Sequence, residues 1–316
     1  MADKKIIAVV GATGAQGGGL VRAMLADAGG EFVPRAVTRK PASDAAKALA
    51  AQGVEVVAGD ADDPASLDAA FAGAYGAFCV TNFWEHVDPA RELRQASALA
   101  RATRTAGVTH VVWSTLEDTR RDVPIDDPRL PTLHGHYKVP HFDAKGEADA
   151  VFASEGAPTS CLLAAFYWDN LIHFGMGPRR QADGSLVFAL PLGGQKLPGI
   201  AAGDIGGAAL GIFRRGTTAA GQRFGIAGET LSGEEMAARL SDVIGQPVSF
   251  QNIPFDVYRG LGFPGADDLG NMFEYQQLLG ARFLTARDPQ LTRQLYPATQ
   301  DFAGWLRANA GRITIA

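Results

Sequence analysis

Cysteine is scarce in this chain: Cys79 and Cys161 are the only two in 316 residues. A disulfide framework is therefore not expected, and a chain of this length buries a core large enough to do without one. Each thiol lies in an apolar stretch that reads as a strand, where cysteine serves as a small core residue. Long apolar runs are also missing. None reaches the ~18 residues that a membrane helix requires. There is no basic excess either, with 29 Lys and Arg against 34 Asp and Glu and a formal net charge of −5. Without a dense Lys/Arg block the chain has no electrostatic footprint for nucleic acid or an anionic membrane. No secretory signal, internal repeat or low-complexity tract is read, and the expected location is the cytoplasm.

What is present is regular alternation. Ile6 to Val10 is a continuous β-rich apolar run, the mark of a central parallel strand, and a helix is expected from Leu20 to Ala28. Further strands are predicted over 32–38, 54–58, 77–80, 108–113 and 159–164. Helices are predicted between them over 45–51, 64–71, 89–106 and 138–154. Such alternation implies right-handed crossovers and a sheet covered on both faces. Beyond Phe166 it weakens, with short strands near 186–190 and 223–226 and helices at 203–214, 234–244, 255–261, 268–279 and 301–308. The predicted fold is α/β: a Rossmann doubly wound parallel sheet over residues 1–165. A smaller α+β C-terminal lobe follows over 166–316, with some of its segments free to return to the first domain. The stretch 116–138, with Pro124, Pro128 and Pro131, is irregular. A loop of that length is read either as a lid or as a solvated insertion.

The run Gly11-Ala-Thr-Gly14-Ala-Gln-Gly17 follows the first strand and opens the first helix. In that context the glycines have separate tasks. Gly11 makes the turn, Gly14 lets the backbone approach a pyrophosphate, and Gly17 lets helix and strand pack closely. The helix that this run, Ala15 included, opens has free N–H groups and a dipole that favour an anion, and Thr13 and Gln16 are placed to add side-chain hydrogen bonds. The second strand ends in Val37-Thr38-Arg39-Lys40. No acid stands where an NAD-selective domain holds the ribose 2′-hydroxyl. A guanidinium at Arg39 grips a 2′-phosphate bidentately and Lys40 adds a point charge, so the expected cofactor is NADP(H). Ligands of doubly wound sheets lie at strand C-termini. That rule adds Asp60 after the third strand, Thr81, Asn82 and Phe83 after the fourth, and Ser114 and Thr115 after the fifth.

The Gly-x-x-Gly-x-x-Gly spacing resembles that of extended and atypical short-chain dehydrogenase/reductase proteins. Further blocks narrow the resemblance to the NmrA-like family. They are Asp3-Lys4-Lys5, Val37-Thr38-Arg39, Gly59-Asp60, Val80-Thr81-Asn82, His141-Phe-Asp-Ala-Lys145 and Leu261-Gly-Phe-Pro-Gly-Ala-Asp-Asp-Leu-Gly-Asn-Met-Phe273. The resemblance implies that Phe166, Tyr167 and Asn170 line the open side of a nicotinamide pocket. It also sets a contrast. Typical members of the superfamily carry Tyr-x-x-x-Lys, and here His141 stands in place of the tyrosine, sharing a helix face with Lys145. Lys145 is expected to hold ribose hydroxyls. His141 is either an inert wall of the cleft or a general acid. Tyr137 precedes the same helix at a spacing wrong for the usual dyad. His134, His136 and His141 do not complete a metal-ligand pattern.

Two functions follow from the resemblance. One is a redox sensor that passes the NADPH/NADP+ state to a protein partner through the 116–138 loop and the C-terminal lobe, as a monomer or homodimer. The alternative is an NADPH-dependent reductase of a quinone or similar conjugated acceptor. Both require the cofactor choice made at Arg39. NADPH is expected to bind at least about tenfold tighter than NADH, the value of one charge-assisted hydrogen bond. Calorimetric titration with both nucleotides checks this, and equal affinities would refute it.

Overall fold

In the computed structural model, which describes residues 4–27, 29–155 and 157–315, the first half alternates as its pattern predicts. It runs β1 (Lys5–Val10), α1 (Ala15–Ala26), β2 (Phe32–Thr38), α2 (Asp44–Ala51), β3 (Glu55–Ala58), α3 (Leu67–Phe71), β4 (Gly76–Cys79), α4 (Pro89–Thr105), β5 (His110–Thr115), α5 (Pro140–Glu155) and β6 (Thr159–Leu163). The second half adds β7 (Phe166–Tyr167), α6 (Asn170–His173), β8 (Arg179–Arg180), β9 (Leu186–Leu190), β10 (Leu197–Ile200), α7 (Ala202–Arg214), β11 (Arg223–Gly225), β12 (Glu229–Leu231), α8 (Gly233–Ile244) and β13 (Val248–Asn252). Five helices close it: α9 (Phe255–Arg259), α10 (Ala266–Leu279), α11 (Ala281–Thr285), α12 (Pro289–Leu295) and α13 (Phe302–Asn309). Asp3 and Ala28, both named in the sequence reading, lie outside the described residues.

Seven parallel strands form the main sheet in the order β11-β6-β5-β4-β1-β2-β3. The order reverses between β1 and β4, and the crevice at such a switch point is where a doubly wound sheet holds its ligand. Strand alternation divides the core. Ile7 and Val9 of β1, Phe78 of β4 and Val112 of β5 face the side covered by α1 and α7. Ala8, Ala77, Cys79, Val111 and Trp113 face the side covered by α4 and α5. Cys161, on β6, is half-buried rather than enclosed.

The C-terminal half is not all one lobe. β11 pairs with β6 and completes the main sheet, and α7 packs along α1. The lobe proper holds two three-stranded sheets, β12-β10-β7 and β13-β9-β8, over a separate apolar core. β7, β8, β10, β12 and β13 were not foreseen. They are short, and Leu197-Pro-Gly-Ile200 carries two residues that weaken a strand reading. The first helix begins at Ala15, earlier than predicted, and runs through Gly17, Gly18 and Gly19. Those glycines suit contact, not helix propensity. A Cβ on Gly206 of α7 would lie 2.0 Å from the Leu20 backbone nitrogen of α1. No helix among the described residues is long and apolar enough to cross a membrane.

That contact can be tested. Alanine is a better helix former than glycine by about 1 kcal/mol. Overpacking against fixed backbone costs about 1–3 kcal/mol, and both backbones here are fixed. Gly206→Ala is expected to lower the urea-unfolding free energy by up to about 2 kcal/mol, and a gain in stability would show that the helices do not touch.

Candidate functional site

The crevice opens into one cavity of about 1020 Å³. Its floor is the β1–α1 turn, with Gly11 at φ +67° and Gly17 so close that a Cβ would lie 2.5 Å from the Gly11 carbonyl oxygen. Gly14 is the N-cap of α1, no side chain caps the helix, and its first turn carries no acid. The N–H groups there are left for an anion. Thr13, Ala15, Arg39, Lys40, Asp60, Thr81, Asn82, Phe83, Ser114, Thr115, His141, Lys145, Phe166, Tyr167 and Asn170 all line the same cavity. Gln16 lines it too, but its amide is engaged at both ends. It donates to the Tyr167 hydroxyl (2.5 Å) and accepts from Ser114 (2.8 Å). Burial pushes the Tyr167 phenol up to about 12.

Tyr137 is the exception. It does not line the cavity but borders a shallow depression beside α4, with its ring over the Arg120 guanidinium. Tyr137 is thereby removed from the candidate catalytic residues. His134 and His136 are exposed on the same segment, away from buried His141. Among the described residues no cluster of three or more His, Cys, Asp or Glu side chains could hold a metal ion.

The helix face of His141 and Lys145 is held from two sides. His141 Nδ1 lies 2.6 Å from Asp268 Oδ1, and its backbone N–H donates to Asp268 Oδ2 at 3.1 Å. Asp268 is almost fully buried, in the first turn of α10. With a carboxylate on Nδ1, the neutral ring carries its proton there and leaves Nε2 bare toward its surroundings. Trp84 and Phe83 lie against the ring at 4.8 and 5.9 Å between centroids. Lys145 has three N–H donors. They reach Thr81 O (3.0 Å), Thr81 Oγ1 (2.8 Å) and Glu92 Oε1 (2.7 Å). Glu92, fully buried on α4, also accepts from the Thr81 hydroxyl at 2.6 Å. Its other oxygen lies 3.3 Å from His86 Nε2 without the alignment of a hydrogen bond. A ribose hydroxyl can reach Lys145 only by sharing or exchanging one of these bonds.

Segment 116–138 is not a lid over this cavity. Of it, only Leu116 lines the cavity. Its interior is pinned by Lys138, whose buried ammonium donates to Asp127 O, Leu130 O and Thr132 Oγ1 at 2.7–2.9 Å. Burial lowers the Lys138 pKa. α10 holds the segment from outside, through Asn271 to Pro131 O and Lys138 O and through the Tyr275 hydroxyl to Asp122. Asp143, between His141 and Lys145 in sequence, faces the other way and accepts from Thr119, Lys138 and Val139.

Three acids were missed: Glu85, Glu92 and Asp268. The 261–273 block had been noticed only as a likeness. Its Asp268 and Asn271, with Tyr275 just beyond it, fall at i, i+3 and i+7 on one helix face, a polar stripe legible in the sequence.

Fold and groove together define a Rossmann-type α/β protein with a crevice proportioned for a dinucleotide. The chain belongs to the NmrA-like family, whose profile matches residues 3–306. It is 31% identical to the NAD(P)H azoreductase of Xenophilus azovorans over 82% of each chain. In fold it is similar to Nmra, a negative transcriptional regulator solved in complex with NAD (TM-score 0.78, 23% identity, 96% of this chain and 95% of that one). It is likewise similar to the Citrobacter sp. triphenylmethane reductase complexed with NADP(H) (TM-score 0.73, 20% identity, 98% of this chain and 100% of that one).

The Glu92–Lys145 pair yields a stability test. Glu92→Gln keeps an acceptor for Thr81 but removes the charge under Lys145. The expected loss is about 1.5–3 kcal/mol in chemical denaturation at neutral pH, the value of hydrogen bonds to a charged group. Adding Lys145→Met should recover part of it, since the buried cation is then gone. Full additivity of the two losses would show that the residues do not act as a pair.

Proposed function

We propose that this chain is an NADP(H)-dependent reductase of conjugated, largely apolar acceptors. The observation that carries this reading is the continuity of the cavity. From the glycine floor and Arg39 it runs without a break into a chamber walled by Leu190, Ile253, Tyr258, Leu269, Met272 and Phe283. An apolar chamber opening onto a dinucleotide groove is a place for a second, oily reactant. Exposed Phe174, Leu261 and Phe263 belong to the same lining.

Three features of the groove support this cofactor. The α1 terminus is uncapped, Gly17 leaves no room for a side chain, and Arg39 and Lys40 stand where a 2′-phosphate would be read. When bound, a reduced nicotinamide dinucleotide supplies the hydride. The remaining tasks fall to this chain. The apolar walls orient the acceptor and exclude water. Asp268 keeps the His141 ring in one orientation. A conjugated acceptor spreads the incoming charge over many atoms, so positioning carries much of the catalysis and an acid the lesser part. This suits a cleft with histidine in place of tyrosine.

The sensor reading requires segment 116–138 to respond to the cofactor. Beyond Leu116 that segment lies outside the cavity, and it is tied down by Lys138, Asn271 and Tyr275. The reductase reading therefore takes precedence.

The purified chain is expected to oxidise NADPH with naphthoquinones or azo dyes and to leave simple aldehydes and ketones nearly untouched. An isolated carbonyl leaves a localised alkoxide, and a positioned acid is worth about 10²- to 10⁴-fold there. Absorbance of the reduced nicotinamide follows both. No turnover with any conjugated acceptor would overturn the proposal. Ketone reduction at ordinary rates, abolished in His141→Ala, would make His141 a full general acid and widen the substrate class.

A further inference from the structure

Arg39 has a partner already. Its guanidinium meets the Glu85 carboxylate at 2.7 Å, joining the turn after β2 to the 3₁₀ turn after β4. Both residues line the cavity and both are about half exposed, at 47% and 42%. Resting on the reading of Arg39 given above, we propose that Glu85 sets the preference between NADP(H) and NAD(H) by competing with the 2′-phosphate for Arg39.

Four observations support this. An ion pair this exposed is weak, so a phosphate dianion can displace it. Once displaced, the carboxylate stays near. Glu85 ends a short turn whose first residue, Phe83, is buried to 1% exposure and anchors it. A like charge then remains beside the phosphate, and it opposes NADP(H) a second time. Among the described residues, Arg39 is the cation that hydrogen-bonds this carboxylate; Arg91 acts on it only through space, being held by Asp62 Oδ2 at 2.7 and 3.2 Å, and Lys40 makes no ion pair with it. Finally, NAD(H) presents a neutral hydroxyl at the same point and has no call on the guanidinium, so the Arg39–Glu85 pair can persist. Glu85 thus penalises one cofactor and spares the other. The arginine enforces the preference and the glutamate limits it, which leaves the groove open to both nucleotides.

The Arg39 pair holds the Glu85 carboxyl below the usual carboxylate range, so Glu85 is charged at neutral pH and the competition is always present. Glutamine is nearly isosteric with glutamate and neutral, which makes Glu85→Gln the direct test. The full chain, Glu85→Gln, Arg39→Ala and the double variant are each titrated with NADPH and with NADH by calorimetry. Glu85→Gln is expected to tighten NADPH by about three- to tenfold while moving NADH by less than about twofold. The gain should vanish in the Arg39→Ala background. Unchanged or weaker NADPH binding in Glu85→Gln, with Arg39→Ala lowering the NADPH preference, overturns the role of Glu85 and leaves the cofactor reading standing. An Arg39→Ala protein with an unaltered NADPH-to-NADH ratio overturns the cofactor reading and this inference with it. Equal tightening of both nucleotides in Glu85→Gln also overturns it, because Glu85 would then oppose the shared pyrophosphate and not the 2′-phosphate.

Discussion

A buried carboxylate is tolerated only when its hydrogen bonds are made, and Asp268 makes them across the boundary between lobe and sheet. Its two oxygens take the ring and the backbone N–H of His141. Three residues on, Asn271 takes carbonyls from Pro131 and Lys138, and one turn further Tyr275 reaches Asp122. One face of α10 therefore fixes the start of α5, and with it the helix face that carries His141 and Lys145 toward the crevice. The placement of the apolar chamber depends on the same contact, because Leu269 and Met272 on α10 are part of its wall. Trp84 completes the joint. It lies between the His141 ring and Gly265, where a Cβ would stand 2.7 Å from the indole.

How much of this was legible without coordinates follows from where each signal is stored. The main sheet was, because its strands are continuous apolar runs and its helices are periodic, and both patterns are local. The glycine turn was, because its spacing and its flanking elements lie within one βα unit. Apart from β9, which matches the predicted 186–190, the lobe strands were not. Each is two to five residues long, and most are stabilised by partners distant in sequence, as β13 is by β9. One helix was missed despite a clear sign. Asp288-Pro289 opens α12 with the same cap and first-turn proline as Asp88-Pro89 opens α4, and only the second was read. At the site, the residues bordering the crevice were named by the rule that ligands gather at strand ends, but their partners were not. Glu92 looks like any acid in the first turn of an amphipathic helix, and only the fold shows that it is enclosed beneath Lys145. The 116–138 segment misled for the opposite reason. Prolines and charges suggested an open loop, whereas a single buried lysine ammonium organises its carbonyls.

The missed acids share a pattern. Lys145 is matched by Glu92, Arg39 by Glu85 and His141 by Asp268. Unpaired cations crowded along one crevice would repel each other and hold mobile, hydrated positions. Matching each with a carboxylate fixes its geometry in the free protein. The consequence is that a dinucleotide gains little from raw charge attraction at these side chains, since every new contact there replaces an old one. Net attraction is left to the groups with no competitor, the backbone N–H groups at the uncapped start of α1 and the Lys40 ammonium. Ion pairs that are exchanged rather than created contribute more to discrimination than to affinity. On the proposed reading, the glycine turn supplies the holding and the paired side chains supply the choosing. The two tasks fall to different chemistry because peptide dipoles cannot be neutralised by a neighbouring acid without closing the site.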